Sequence, residues 1–263
     1  MANDEIVAML VVHVDDTTIA ATKEITDSVV AHLNKRFPTK LLGEVTRCIG
    51  SEYKRDRQKG TMEILQTQLI RNAVERFGIM NASPIPAYPS LDLRHVSDED
   101  PVVDANCREL VGSLMTIVNH TRPDIANTLR AVARFSHDHK EFHVEAARKM
   151  IEYLSATAHL GLKSRNDCNL QNVQFENDLE TYVDANCAHK TGDRRSVSGV
   201  AVYCRGTLVS WFSGTQKCIT LFTTEPEYAV MANGVKEALY VRGVFVFLMP
   251  SLGSPSFGVT TEG

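Results

Sequence analysis

The chain has 263 residues, of which 28 are Lys or Arg and 32 are Asp or Glu, so its formal net charge is −4. Its 43% hydrophobic and 23% charged residues are typical of a globular protein of one or two domains. The net charge argues against a surface that is basic throughout, whereas a local basic groove is compatible with it. Six cysteines without a Cys-x-x-Cys pair argue against a zinc ribbon and favour a reducing, intracellular setting. The apolar stretch at 238–249 is too short to span a bilayer, so no membrane partner is expected.

The N-terminal region, residues 1–65, is predicted to form two β-hairpins separated by a helix. Its first strand is almost wholly apolar, which is typical of a strand covered on both faces. A polar turn at Asp15 and Asp16 joins this strand to a return strand, and a charged loop ending in Gly60 joins the strands of the second hairpin. The predicted elements are strands Ile6–Val14 and Ile19–Ala21, helix Glu24–Phe37, and strands Arg47–Tyr53 and Thr61–Leu65.

The central region is predicted to be helical, because apolar side chains recur on one face of each segment. A proline-rich connector at 81–104 separates the first of these helices from the next. Thr121 and Asp124 resemble a capping box while Pro123 suits a first helical turn, and these interpretations place the helix start one residue apart. The predicted helices and their inward residues are Gln66–Phe77 (Leu69, Ala73, Phe77), Arg108–Asn119 (Leu110, Leu114, Ile117, Val118), a helix starting near Thr121 (Ile125, Leu129, Val132, Ala133), and Glu141–Ala156 (Ala147, Met150, Ile151, Leu154).

The C-terminal region changes from helices to strands. Residues 162–180 are polar and lack periodicity, so a domain boundary is expected there. Strands followed by one long helix and a further strand are typical of a mixed α/β domain. The predicted elements are strands Glu180–Cys187, Ser196–Cys204 and Leu208–Phe212, helix Thr224–Leu248 with Tyr228, Met231, Val235, Ala238 and Leu239 inward, and strand Ser256–Thr261.

A series of short motifs in a fixed order resembles the Pol polyprotein of copia-type retrotransposons. The resemblance runs from Val7 to Gly263 and implies an α/β (α+β) chain: the end of a reverse transcriptase palm at 1–65, a helical thumb or connection at 66–161, a linker at 162–179, and a truncated RNase H-like mixed sheet at 180–263. The motifs are Val12–Asp16, Leu42–Glu44, Ile49–Glu52, Glu75–Gly78, Arg108–Leu114, Thr121–Ala126, Tyr182–Ala185, Arg194–Gly199, Val209–Trp211, Gln216–Lys217 and Thr224–Tyr228.

The resemblance implies that Asp15 and Asp16 descend from the metal-binding carboxylates of the polymerase. Polymerases hold two metal ions with carboxylates from separate segments, and the partner Asp of the family lies upstream of this hairpin. His13 stands where the family usually has Tyr. We therefore expect no primer extension by this chain. From the residues alone, a polar turn is the favoured interpretation of Asp15 and Asp16, because Asp is a common turn residue.

Two basic segments are candidates for contact with template–primer or with an RNA–DNA hybrid. Ile49 and Gly50 resemble the primer grip, and residues 35–76 hold ten basic and five acidic groups, an excess of 10 − 5 = +5. A solvated charged hairpin explains the same charges. The basic residues singled out are Lys54, Arg55 and Arg57 in the hairpin, and Arg194 and Arg195 in the C-terminal region.

The resemblance implies an RNase H site formed by Asp184, Glu227 and Glu262 that binds Mg²⁺ or Mn²⁺. Glu225 is the alternative to Glu227, and either could instead be a first-turn acid that stabilises the helix N-terminus. Glu262 stands in the register of an Asp and is one methylene longer, so we expect weak metal binding and cleavage that is absent or manganese-dependent. The alternatives are a non-catalytic nucleic-acid-binding relic or host-retained module, or a decayed element.

Three histidines near the start of a helix, His137, His139 and His143, resemble a metal site only superficially. Their surroundings hold no further ligand or general base placed as zinc sites require, so a polar start of the helix is the better interpretation. Trp211 alternates inward with Val209 and is expected in the core rather than on a base-stacking surface.

Overall fold

The computed structural model describes residues 6–14, 16–88, 97, 106–165, 178–186, 195–219 and 224–248. Within these residues the chain is mixed α/β, with three antiparallel sheets. The elements are β1 Ala8–His13, β2 Asp16–Ala21, α1 Lys23–Leu33, β3 Arg47–Cys48, β4 Ser51–Asp56, β5 Thr61–Leu65, α2 Thr67–Arg76, α3 Cys107–His120, a 3₁₀ turn Pro123–Ile125, α4 Ala126–Ala133, α5 Glu141–Ala156, β6 Leu162–Arg165, β7 Leu179–Asn186, β8 Arg195–Cys204, β9 Thr207–Ile219 and α6 Thr224–Leu248.

The first sheet is the β1–β2 hairpin, and the prediction that its first strand is covered on both faces is wrong. Leu10, Val11 and Val12 are 45%, 62% and 67% exposed. The physical reason is that β1 pairs with β2 alone in the described part of the chain, and no residue of α1 is buried. The predicted apolar strand is present, but no second layer among the described residues covers it.

The second sheet has the strand order β3-β4-β5-β6, and two of its features differ from prediction. Ile49 and Gly50 have φ angles of 49° and 73°, so they form a tight turn that divides the predicted single strand into β3 and β4. Strand β6 pairs with β5, although Leu162–Arg165 was assigned to the linker. A four-residue polar strand carries no periodicity that would distinguish it from a connector.

A helical core lies between α2, α3, α4 and α5. All predicted inward residues of α3 and α5 are buried, and the predicted bounds of α5 are confirmed. In α2 the most buried residue is Ile70, which was not among the residues predicted to face inward. Each fully buried Leu or Ile contributes about 1.5–3 kcal/mol to folding, so this cluster is the main source of stability in the region.

Of the two predicted helix starts near Thr121, the structure confirms the one with Pro123 in the first turn. Pro123 is the first residue of the 3₁₀ turn that precedes α4. Thr121 instead follows the end of α3, and its hydroxyl donates to Oε1 of the buried Gln66 at 2.7 Å. The hydroxyl therefore links α3 to the start of α2 and does not cap a helix.

The third sheet has the order β7-β8-β9, and α6 packs on one of its faces. The predicted bounds of α6 are confirmed, whereas the predicted inward positions Tyr228 and Leu239 are wrong, with 72% and 48% exposure. The physical reason is Gly234, which brings the helix backbone against the Val183 side chain and so selects the face that packs. The buried residues of that face are Pro226, Val230, Gly234, Ala238 and Val241.

The opposite face of the third sheet lies against the helical core. The Trp211 indole donates to the Val118 carbonyl at 3.1 Å, and Arg130 Nη1 donates to Thr215 Oγ1 at 2.7 Å. Strand β9 is therefore joined to α3 and α4 by polar contacts. The predicted strand Ser256–Thr261 lies outside the described residues. None of the described helices is both long and apolar enough to cross a bilayer.

Candidate nucleic-acid interface

The tip of the β1–β2 hairpin and the Ile49–Gly50 turn lie together. Asp16 is exposed and, with both turn residues, lines a cavity of about 310 Å³. The Thr18 hydroxyl of β2 lies 3.7 Å from the Cys48 thiol of β3. Two sites that the sequence predicted separately thus share one cavity. Asp15 lies outside the described residues.

The basic hairpin of β4 and β5 presents its charges to solvent, but not all of them are available. Lys54 and Arg55 are exposed on β4, whereas Arg57 pairs with Glu44 at 3.0 Å. Glu63 lies opposite Lys54, but it accepts a hydrogen bond from Lys163, and this bond with the charges of Lys163 and Lys54 holds the pKa of Glu63 below its usual value. Lys54 and Arg55 are therefore the best candidates here for phosphate contact.

Asp184 lies near the C-terminal end of β7 and its side chain is exposed. Its neighbour Val183 packs against Gly234 of α6, and side chains alternate along a strand, so Asp184 faces away from the helix. On that side it lines a cavity of about 580 Å³ together with Asp124, which lies in the 3₁₀ turn before α4.

Glu227 lies in the first turn of α6 and is exposed. Gln216 Nε2 fixes this turn by donating to the Pro226 carbonyl at 2.9 Å and to Ser198 Oγ at 3.1 Å. Ser198 pairs with Ala185, the residue after Asp184. Asp184 and the first turn of α6 thus lie at the same end of the sheet, with Asp184 facing the side opposite the helix.

The remaining predicted site residues form no further cluster within the described part of the chain. Arg195 begins β8 and is exposed, while Arg194 and Glu262 lie outside the described residues. Glu225 is exposed in the same turn as Glu227, so the choice between them stays a prediction. Within the described part of the chain, no group of three or more His, Cys, Asp or Glu side chains is arranged to hold a metal ion.

Curated relatives align with most of the chain. The retrovirus-related Pol polyprotein from transposon TNT 1-94 of Nicotiana tabacum is 30% identical over 243 residues, which are 89% of this chain and 18% of the relative. That from transposon RE1 of Arabidopsis thaliana is 28% identical over 95% of this chain and 16% of its own length. The putative transposon Ty5-1 protein YCL074W of Saccharomyces cerevisiae is 27% identical over 87% of this chain and 73% of its own length.

The chain belongs to the copia-type retrotransposon Pol polyproteins. It spans 18% and 16% of the length of the two plant relatives, so the assignment covers the family and not the activity of a whole polyprotein. No family model and no solved structure matches it.

Sequence reasoning missed a buried polar network in this Pol chain. Arg122 is 1% exposed, and its guanidinium donates twice to Asp124, at 3.0 and 2.7 Å, and to the Thr157 carbonyl at 3.1 Å. The Tyr153 hydroxyl donates to Asp124 at 2.8 Å. The signal was present in the motif Thr121–Ala126, where Arg and Asp flank a proline, but helix capping accounted for the Asp alone.

The network changes the ionisation of its members. Burial raises the pKa of Asp124, but the hydrogen bonds from Arg122 and Tyr153 and the charge of Arg122 outweigh it and leave the pKa lowered. Burial, followed by the hydrogen bond to Asp124, raises the pKa of Tyr153. Asp124 is therefore held as an anion beside a buried cation.

His143 is also structural. It is fully buried, its Nδ1 accepts from the Lys140 backbone N–H at 3.0 Å, and its ring stacks on Phe135 with centroids 4.3 Å apart. The histidine thus fixes the start of α5, as the helix interpretation predicted, but from inside the core.

Proposed function

We propose that this chain acts on RNA–DNA hybrid or template–primer as the C-terminal reverse transcriptase region and the RNase H domain of a Pol polyprotein. The observation that carries the proposal is the shared cavity of Asp16 and the Ile49–Gly50 turn. It joins an acidic hairpin tip to the turn that resembles a primer grip. The later order of β7 with Asp184, β8, β9 and α6 with Glu227 is compatible with an RNase H domain.

The proposed binding surface is the β4–β5 hairpin. Lys54 and Arg55 are both exposed there and, as consecutive residues of a strand, lie on its two faces. Arg57 would become available if a phosphate displaced Glu44. Basic side chains bind the nucleic-acid backbone by releasing condensed counterions, so binding weakens as salt increases. The net charge of −4 restricts such contact to local basic surfaces.

RNase H chemistry requires divalent ions, which polarise the phosphate and activate a water molecule. The described carboxylates do not by themselves fit such a site, because Asp184 faces away from α6 and no group of three ligands is present among them. We therefore derive no metal-dependent step from the geometry. Glu262, the third ligand that the resemblance implies, lies outside the described residues.

Cleavage of a labelled RNA–DNA hybrid tests the RNase H part of the proposal. We expect no cleavage in magnesium and, if the site is active, cleavage in manganese, because Glu262 is longer than the Asp whose register it occupies. Asp184→Asn and Glu227→Gln should reduce it to background, while Glu225→Gln, in the same helical turn, is the matched control. Cleavage that survives Asp184→Asn, or that depends on Glu225 and not on Glu227, would contradict the assignment.

A second candidate function is non-catalytic binding of nucleic acid. The orientation of Asp184 away from α6 favours it. This candidate predicts hybrid binding without cleavage at any manganese concentration, and affinity that Asp184→Asn does not reduce. The same two assays, cleavage and binding, therefore separate the candidates.

A further inference from the structure

A cleft with aromatic walls lies on the face of the third sheet that α6 leaves uncovered. Its volume is about 580 Å³, within the range of small-ligand sites. The rings of Tyr182 and Tyr203 meet edge to face, 5.6 Å apart at 88°, and Trp211 also lines the cleft, its indole N–H held by the Val118 carbonyl. We name it the Asp184 cleft; its principal residues are Asp124, Tyr182, Asp184, Gly199, Tyr203 and Trp211.

The cleft exists because β8 carries small residues where its neighbours carry large ones. Gly199 pairs with Asp184 and Ala201 pairs with Tyr182, so β8 fills little of the space between the rings. A Cβ at Gly199 would meet one described atom within 4 Å, the Asp184 backbone oxygen at 3.8 Å. The position thus accepts a side chain, which would occupy the cleft.

The charged side chains among the described residues that line the cleft are acidic. Two carboxylates, Asp124 and Asp184, are among the described residues that line it, and none of those residues is Lys, Arg or His. Asp124 is neutralised by Arg122, whereas Asp184 has no ion pair with a described basic residue. Glu180 adds a further negative charge at the edge, where it accepts from the Tyr182 hydroxyl at 3.0 Å.

From this combination we infer that the Asp184 cleft binds a planar organic cation, an amidinium or guanidinium group. Such a group can stack on tyrosine or tryptophan through cation–π contact and donate paired hydrogen bonds to Asp184. The same potential disfavours phosphate. The inference goes beyond hybrid binding and cleavage, and it holds whether or not either occurs.

Trp211 is the only tryptophan in the chain and lines the cleft, so its fluorescence is a direct probe of this region. We would titrate the full chain in EDTA, which removes metal binding at Asp184, with benzamidine and with benzamide, its neutral isostere. Benzamidine should change the fluorescence with an affinity about tenfold higher than that of benzamide.

Asp184→Asn should remove the preference for benzamidine over benzamide. Gly199→Val should abolish both signals by filling the cleft, while Gly243→Ala on the outer side of α6 should change neither.

Equal affinity for benzamidine and benzamide in the unmodified chain would overturn the inference, and this comparison does not depend on any variant folding. Tighter binding of benzoate than of benzamidine would also overturn it. Acetyl-arginine amide identifies the source of the cation. If it binds as tightly as benzamidine, the ligand is an arginine of a protein partner. If it binds more weakly, the ligand is a small aromatic cation.

Discussion

Arg122 and Asp124 show how one ion pair ties three segments of the helical core together. Arg122 follows α3, Asp124 lies in the 3₁₀ turn, and Thr157, which accepts from Arg122, follows α5. The Arg122 side chain is 2% exposed and that of Asp124 is 38% exposed. Removal of one member of such a pair leaves the other charge buried without compensation, which is costly.

At the residue scale we predict that Asp124→Asn destabilises the chain by about 2 kcal/mol at neutral pH. The pKa of Asp124 is lowered in the folded state, so its contribution is complete above the ordinary value of 3.8 and is lost as the pH falls through the folded value. As the pH falls below 3.8, the unmodified chain should therefore lose more stability than Asp124→Asn.

Urea unfolding followed by circular dichroism measures both effects. Asp27→Asn, which changes an exposed residue of α1, is the matched control and should resemble the unmodified chain. Equal loss of stability for the unmodified chain and Asp124→Asn over the acid range would show that the carboxylate is not held by Arg122.

At the element scale, α6 offers two glycines in opposite situations. A Cβ on Gly234 would press into Val183 and approach Thr181 Cγ2 at 3.4 Å, whereas a Cβ on Gly243 would meet no described atom within 4 Å. Gly234→Ala should therefore destabilise by about 1–3 kcal/mol through overpacking. Gly243→Ala should stabilise by about 0.5–1 kcal/mol, because alanine favours the helix. Thermal unfolding checks both, and changes of the same sign would contradict the packing of α6.

The elements also show where sequence reasoning succeeds and why it fails. Helix α5 was predicted to its end residues, because its apolar spacing is regular and its face is set by its own side chains. In α6 the apolar residues surround the helix, and the face is selected by Gly234, which no hydrophobic pattern marks. The Ile49–Gly50 turn was missed because an isoleucine with positive φ is rare.

For the candidate site, too, the sequence identified residues but not how they are arranged. The acidic and basic residues were found in the sequence, whereas the cavity that Asp16 shares with Ile49 and Gly50 was not, because the two sites were predicted separately. The orientation of Asp184 and the role of Arg122 depend on which partners surround them in three dimensions. No spacing along the chain contains that information.

At the scale of the whole molecule, the described chain combines a β4–β5 hairpin that is basic at its surface with a cleft that is acidic. The contacts of Trp211 with Val118 and of Arg130 with Thr215 join the sheet that carries the cleft to the helical core. Phosphate should therefore be attracted to Lys54 and Arg55 and repelled from Asp184 in the absence of metal.

The most direct measurement is the affinity for an RNA–DNA hybrid by fluorescence anisotropy across a series of salt concentrations. The unmodified chain should bind at low salt, with an affinity that falls as salt increases. Lys54→Glu with Arg55→Glu should reduce the slope of log affinity against log salt by about 2, one for each lost phosphate contact. Lys23→Glu with Lys236→Glu, which reverses two exposed lysines elsewhere, should leave the slope unchanged. Absence of binding at low salt, or the same slope in both double variants, would contradict the proposal that this Pol chain binds nucleic acid through the β4–β5 hairpin.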